Sequence, residues 1–169
     1  MGKPFSVNTT RFSPYAAFNF LVYLGTSTSP VAGVSKVSAV KRTTAPIEYR
    51  EGGNPIVLIS PGRTTYDAIT MERGITFDTD FQDWADTVQK LVKGAPIRSL
   101  AQLRREVRVE MLNEIGQPVM RYFLHRCWVS EYQAMPDLDA GSTSVAIEHI
   151  KMENEGWEKD LTLTEPTET

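Results

Sequence analysis

Cysteine is almost absent from this chain of 169 residues: Cys127 stands alone. One thiol excludes an intramolecular disulfide framework and a cysteine-rich zinc site. Histidine is nearly as scarce, and His125 and His149 leave little for metal binding or acid–base work. No run approaches the roughly 18–20 apolar residues of a membrane helix, so no membrane anchor is expected. The N-terminus lacks an apolar stretch followed by a small-residue cleavage site, so no secretory signal is read. Gly2 and Ser6 fit the loose myristoylation pattern, but Pro4 and the lack of a basic second signal make the match a coincidence.

An excess of one charge is lacking too, since the formal net charge is −3. Residues 1–150 hold 16 basic and 15 acidic side chains, whereas residues 151–169 hold 2 and 6. A neutral body argues against a sequence-specific nucleic-acid binder, which concentrates basic charge. What is present is the makeup of a folded domain: 41% apolar and 23% charged residues exclude wholesale disorder.

Period-two patterning dominates. Phe18, Phe20, Val22 and Leu24 share one face of a strand beginning at Ala17. Val31 to Arg42 reads as a second strand, and Ile47 to Arg50 as a short extended piece. Gly52-Gly53 with Pro55 marks a hairpin tip or projecting loop. The apolar run Ile56–Ile59 is expected to end at Pro61-Gly62, and Ala68–Arg73 to form another strand. Val107, Val109 and Met111 alternate with charges up to a turn at Asn113–Pro118. A long strand then returns from Val119 to Gln133, bent near Arg126-Cys127. In the last strand Val145 and Ile147 lie in one phase and Ile150 and Met152 in the other, which predicts a β-bulge near Glu148–His149. Trp157 is expected to close it.

One stretch has helical period. Thr79-Asp80-Phe81-Gln82 matches a capping box. Phe81, Trp84, Val88 and Leu91 then recur as a packing face, and Gly94 and Pro96 end the run. The helix is placed at about 80–93. About seven strands and one helix, without βαβ alternation, make the fold class mainly β: an antiparallel barrel or two packed sheets flanked by a helix. The domain is read as 1–158, with an N-terminal arm over 1–16 and an acidic, flexible tail over 159–169.

Candidate chemistry is thin. His125 and Cys127 are two apart, and strand geometry puts i and i+2 on one face. A Cys–His pair also needs an electropositive pocket and an orienting third group. The simpler reading is a buried thiol and a surface imidazole. Asp137 and Asp139 flank a loop without calcium-loop spacing. Arg98, Arg104, Arg105 and Arg108 are interleaved with Glu106 and Glu110, a pattern that favours ion pairs, between subunits or with solvent, over phosphate binding. No catalytic residue, metal ligand or cofactor site is assigned. Long strands with a single covering helix leave sheet edges that invite pairing with other chains.

The chain resembles the inner tube proteins of contractile phage tails and of phage-derived contractile injection systems. The matching stretches are Phe18–Val22, Val34–Pro55 (VSKVSAVKRTTAPIEYREGGNP), Ser60–Gly74 (SPGRTTYDAITMERG), Cys127–Ala140 and Val145–Trp157. The resemblance implies a non-enzymatic subunit of hexameric rings, stacked head to tail into a hollow tube whose barrel continues from subunit to subunit. It implies as partners a contractile sheath protein, a baseplate or tube-initiator protein, and a tape-measure protein or cargo in the lumen, DNA or protein. It implies a place in a phage tail or injection particle assembled after synthesis in the cytoplasm. It also implies that the loop Glu48, Tyr49, Arg50, Glu51, Gly52, Gly53, Asn54 and Pro55 contacts a neighbouring ring. Arg104, Arg105, Glu106, Arg108 and Glu110 are candidates for intersubunit ion pairs. A tube-initiator ring at the baseplate is the alternative, and a secreted effector or enzyme on a β-barrel scaffold is the remote one.

Overall fold

A computed structural model describes residues 14–31, 33–53, 56–94, 103–141 and 143–166. The elements are β1 (Phe20–Leu24), β2 (Val34–Val37), β3 (Arg42–Tyr49), β4 (Leu58–Tyr66), β5 (Ile69–Gly74), α1 (Asp80–Val92), β6 (Arg105–Leu112), β7 (Pro118–Gln133), β8 (Ile147–Glu153) and β9 (Trp157–Lys159). Seven strands form one antiparallel system in the order β1-β6-β7-β8-β5-β2, with β9 also on β7. Strands β3 and β4 pair only with each other.

Strand β7 makes two sheets from one. Its first half pairs with β6 and β9, and its second half with β8. Between them Arg126 has φ 52°, left-handed backbone that a side chain adopts at a cost. Opposite it Gly156 has φ 147°, open to glycine alone. The His125 N–H donates to the Gly156 carbonyl at 2.8 Å and the Glu155 N–H to the His125 carbonyl at 3.0 Å. Both chains therefore turn the corner together, as strands do when they pass from one sheet to another.

The core fills the angle between the sheets. Val22, Val107 and Leu124 from one side meet Ile69, Met71, Val129, Ile150 and Met152 from the other. Helix α1 closes the angle with Phe81 and Trp84, both fully buried, and the Trp84 indole N–H donates to the Leu103 carbonyl at 3.1 Å. Val88 packs at the margin of this core. Leu91, expected on the same face, is exposed, because the helix outruns the sheet that it covers.

Several sequence expectations are corrected. Strand β1 starts at Phe20 rather than Ala17, and Phe18 is exposed. The stretch 31–42 holds only the short β2, and the chain then enters β3. Pro61-Gly62 does not end a strand: β4 runs through it, since Pro61 faces Pro46 in a two-stranded ladder whose outer edges need no donors. Strand β8 has no bulge at Glu148–His149, and its register with β5 is unbroken from Ile69↔Met152 to Gly74↔Ile147. Glu148 lies inward with Ile150 and Met152, so a buried acid was mistaken for a change of phase. The irregularity falls instead on β7, between Val129 and Glu131.

The capping box is not made either. The Thr79 hydroxyl donates to the Asp83 carboxylate at 2.9 Å, and Asp78 Oδ1 accepts the Asp80 N–H at 2.9 Å. Trp157 opens β9 instead of ending a strand. The acidic end therefore begins inside the sheet, and Asp160 accepts from Arg121 Nη1 at 2.9 Å.

Candidate functional site

The arm formed by β3 and β4 stands out from the body. Threonines suit its pleated, exposed ladder: Thr43 faces Thr65 and Thr44 faces Thr64, with their hydroxyls 2.8 Å apart in the second pair. At mid-length the strands close tightly. A Cβ on Gly62 would lie 2.7 Å from the Ala45 carbonyl oxygen and 2.8 Å from Ile47 Cγ1, so only glycine fits. The root is fixed to the corner of the body. The Tyr66 ring lies against Gly156, the Arg42 guanidinium sits 5.2 Å from the Trp157 ring centre, and Asn154 donates to the Asp67 carbonyl at 3.0 Å.

Every residue of β3 is exposed. Ile47, Tyr49, Leu58 and Ile59 show 56%, 58%, 48% and 68% of their surface, more than a solvated hairpin has reason to carry. Glu48 and Tyr49 end β3, and Arg50, Glu51, Gly52 and Gly53 form the exposed tip, where Gly53 takes φ 86°. Asn54 and Pro55 lie outside the described residues. Tyr49 was among the residues read from the sequence, whereas Ile47, Leu58 and Ile59 were missed, although the run Ile56–Ile59 beside a Thr-rich segment was the signal for them.

Of the five residues read as candidates for ion pairs between subunits or with solvent, Arg104, Glu106, Arg108 and Glu110 have partners within the chain. The register sets Glu110 opposite Arg121, which donates to it at 2.7 Å, and Arg108 adds a contact to Glu110 at 3.2 Å. Hydrogen bonds and the charges of Glu110 and Asp160 hold the Arg121 guanidinium above its ordinary pKa, although burial, the largest influence, pulls it down. Glu106 meets His125 Nδ1 at 2.7 Å, and Arg104 meets Glu155 at 2.8 Å. The Arg105 guanidinium lies 5.4 Å from the Trp84 ring centre.

His125 and Cys127 do not meet as base and nucleophile. The turn at Arg126 sends the thiol into the core while the imidazole stays outside between Glu106 and Glu158. Burial, aided by the Glu106 charge, pushes the thiol up to about 12, which makes it a poor nucleophile. Asp139 caps its own loop by accepting the Gly141 N–H at 2.9 Å. Among the described residues, no group of three or more His, Cys, Asp or Glu side chains could hold a metal ion. No helix of the described residues is long and apolar enough to cross a membrane.

A second cluster locks α1 to the sheet. Arg73, wholly buried, donates through Nε to Glu148 and through Nη2 to the Asp78 carbonyl at 2.6 Å, and lies 4.2 Å from the Phe81 ring centre. Tyr132 donates to the other Glu148 oxygen at 3.1 Å. Burial would lower the Arg73 pKa, but Glu148 and Asp78 raise it overall. The Asp80 N–H foremost, with Arg73, holds Asp78 below the usual carboxylate range.

Comparison with known proteins bears on these surfaces. The model of the family described as T4-like virus tail tube protein gp19 matches residues 16–158. No curated protein matches the chain. Among solved structures, a chain of the anti-feeding prophage baseplate, six-fold symmetrised, is 23% identical with a TM-score of 0.72, covering 88% of this chain and 97% of that one. A chain of the extended sheath–tube complex of the extracellular contractile injection system PVC is 19% identical with a TM-score of 0.70, covering 87% and 91%. A chain of the PVC sheath/tube terminator is 19% identical with a TM-score of 0.74, covering 88% and 98%. At these identities the likeness is one of fold.

Proposed function

The chain belongs to the T4-like virus tail tube protein gp19 family, and from that premise we propose that it forms hexameric rings stacked head to tail, with the β3–β4 arm making the contact between rings. Its work as a tube subunit is structural, and we assign it no catalytic role. The observation that carries the proposal is the arm. A two-stranded hairpin is marginal alone in water, and this one holds four large apolar side chains exposed. Burying what each leaves exposed would return roughly half of the 1.5–3 kcal/mol that full burial of such a side chain returns. Rings close by rotation, whereas head-to-tail contacts do not, so stacking propagates. Strands β1 and β2 end the strand order, so the proposed extension of the sheet between subunits within a ring falls at their outer sides, where the Val31 N–H already donates to the Val22 carbonyl of β1 at 2.7 Å.

By analogy with the sheath–tube and baseplate chains of like fold, a sheath packs outside the tube and a baseplate ring starts it. A tape-measure protein or cargo occupies the lumen. Deleting Glu51–Asn54 should leave the body folded, with its melting temperature unchanged, and block tube growth in electron micrographs. Full-length tubes from the deletion variant would refute the role of the arm. Many copies per particle, rather than one ring's worth, distinguish the main tube from an initiating ring.

A further inference from the structure

The arm is one half of a contact, and the other half is at the far end of β5. The arm springs from the start of β5, where the Asp67 N–H donates to the Lys41 carbonyl at 3.1 Å. Strand β5 then runs from Ile69 to Gly74, and the chain emerges at the opposite end into Ile75-Thr76-Phe77-Asp78 before α1. The Ile75 N–H donates to the Ala146 carbonyl at 3.1 Å, which sets this segment beside the start of β8. Strand β7 ends at the same place, since Gln133 faces His149, and it leads into Met135–Asp139.

Three segments thus surface together, and all are apolar. Phe77 is fully exposed, and Met135, Leu138 and Val145 are exposed at 62%, 74% and 77%. Two of them are also acidic. Residues 74–89 and 134–148 contain no lysine or arginine, while Asp80, Asp83, Asp137 and Asp139 stand exposed among them. The arm has the opposite balance. Over residues 41–67, Lys41, Arg42, Arg50 and Arg63 outnumber Glu48, Glu51 and Asp67 by one; Lys41 pairs with Asp67 at 3.3 Å and Arg42 lies on the Trp157 ring, which leaves Arg50 and Arg63 as the outward cations of the arm.

We propose that the arm of one copy seats on this acidic, apolar end surface of the next copy, with Ile47, Tyr49 and Ile59 against Phe77 and its neighbours, and Arg50 and Arg63 against the aspartates. The proposal rests on the tube reading above and names the surface that receives the arm. Two complementary surfaces at opposite ends of one strand are what a heterologous, non-closing contact requires. Charge favours this direction, because end against end would set like charges together.

The test is a charge exchange in the full chain, scored as tubes by electron microscopy and sedimentation, with each variant's melting temperature as the folding control. Arg50→Asp with Arg63→Asp should raise the critical concentration for tubes by about tenfold or more, and Asp137→Arg with Asp139→Arg should do the same. All four substitutions in one chain should restore assembly, and the wild type should weaken with salt. Phe77→Ser, which alters no charge, should also impair assembly. Folded aspartate and Phe77 variants that form tubes like the wild type would overturn the assignment of the receiving surface, even where the arm deletion blocks tubes. Failure of the four-substitution chain to recover would overturn the pairing. Tubes from the arm deletion would instead overturn the tube-contact reading on which it rests.

Discussion

At the scale of single residues, the buried charges matter most. Arg73 and Glu148 are almost wholly removed from water, so each depends on the other. Glu148→Gln should destabilise the domain by about 3 kcal/mol, because it removes the buried partner of the guanidinium and leaves only the part-exposed Asp78 to balance it. Arg73→Met with Glu148→Leu should recover most of that loss in denaturant unfolding. Two groups fix the alkaline limit. Burial pushes Tyr132 up to about 12, with its hydrogen bond to Glu148 adding to the shift, and burial does the same to Cys127. Both favour the protonated fold, so their contribution is whole below their ordinary pKa values of 10 and 9 and fades as pH rises towards 12. Melts from pH 8 to 12 should show this decline. Tyr132→Phe or Cys127→Ala should flatten it, and an unchanged slope would contradict the assignment. Glu148 also shows where sequence reading failed. Its charge looked like solvent exposure, and nothing local to it announces that Arg73 waits on the next strand.

At the scale of elements, the helix was the most legible feature. Apolar residues at helical spacing and a glycine after the last turn placed it at 80–93, against Asp80–Val92 observed. Its reach over the sheet was not legible, because the depth at which Leu91 leaves the core depends on tertiary geometry. The corner of β7 was legible as a bend near Arg126. That it divides one sheet into two is a property of pairing partners far apart in sequence. The tip of the arm was legible from Gly52-Gly53, but its length was not, because Pro61-Gly62 imitates a stop signal. Gly62 supplies the test. Gly62→Val should distort the ladder at Ala45 and Ile47, prevent tube growth, and leave the stability of the body within about 1 kcal/mol of wild type, since the arm adds little to the core. Circular dichroism and electron microscopy together check both halves of that expectation.

At the scale of the whole molecule, scarcity and surplus fit one account. The one thiol is buried, and both histidines are engaged by carboxylates. The same chain carries a surplus of exposed apolar side chains on an arm and at an end surface, which a free monomer has no use for. The charges of β6 and β7 pair across the sheet within the subunit, as Glu110 does with Arg121 and Glu106 with His125. The most direct test is electron microscopy of the purified full-length protein, alone across a range of concentrations and with a baseplate starter. The account predicts six-fold rings or tubes with a central channel. A protein that stays strictly monomeric under all of these conditions would contradict it.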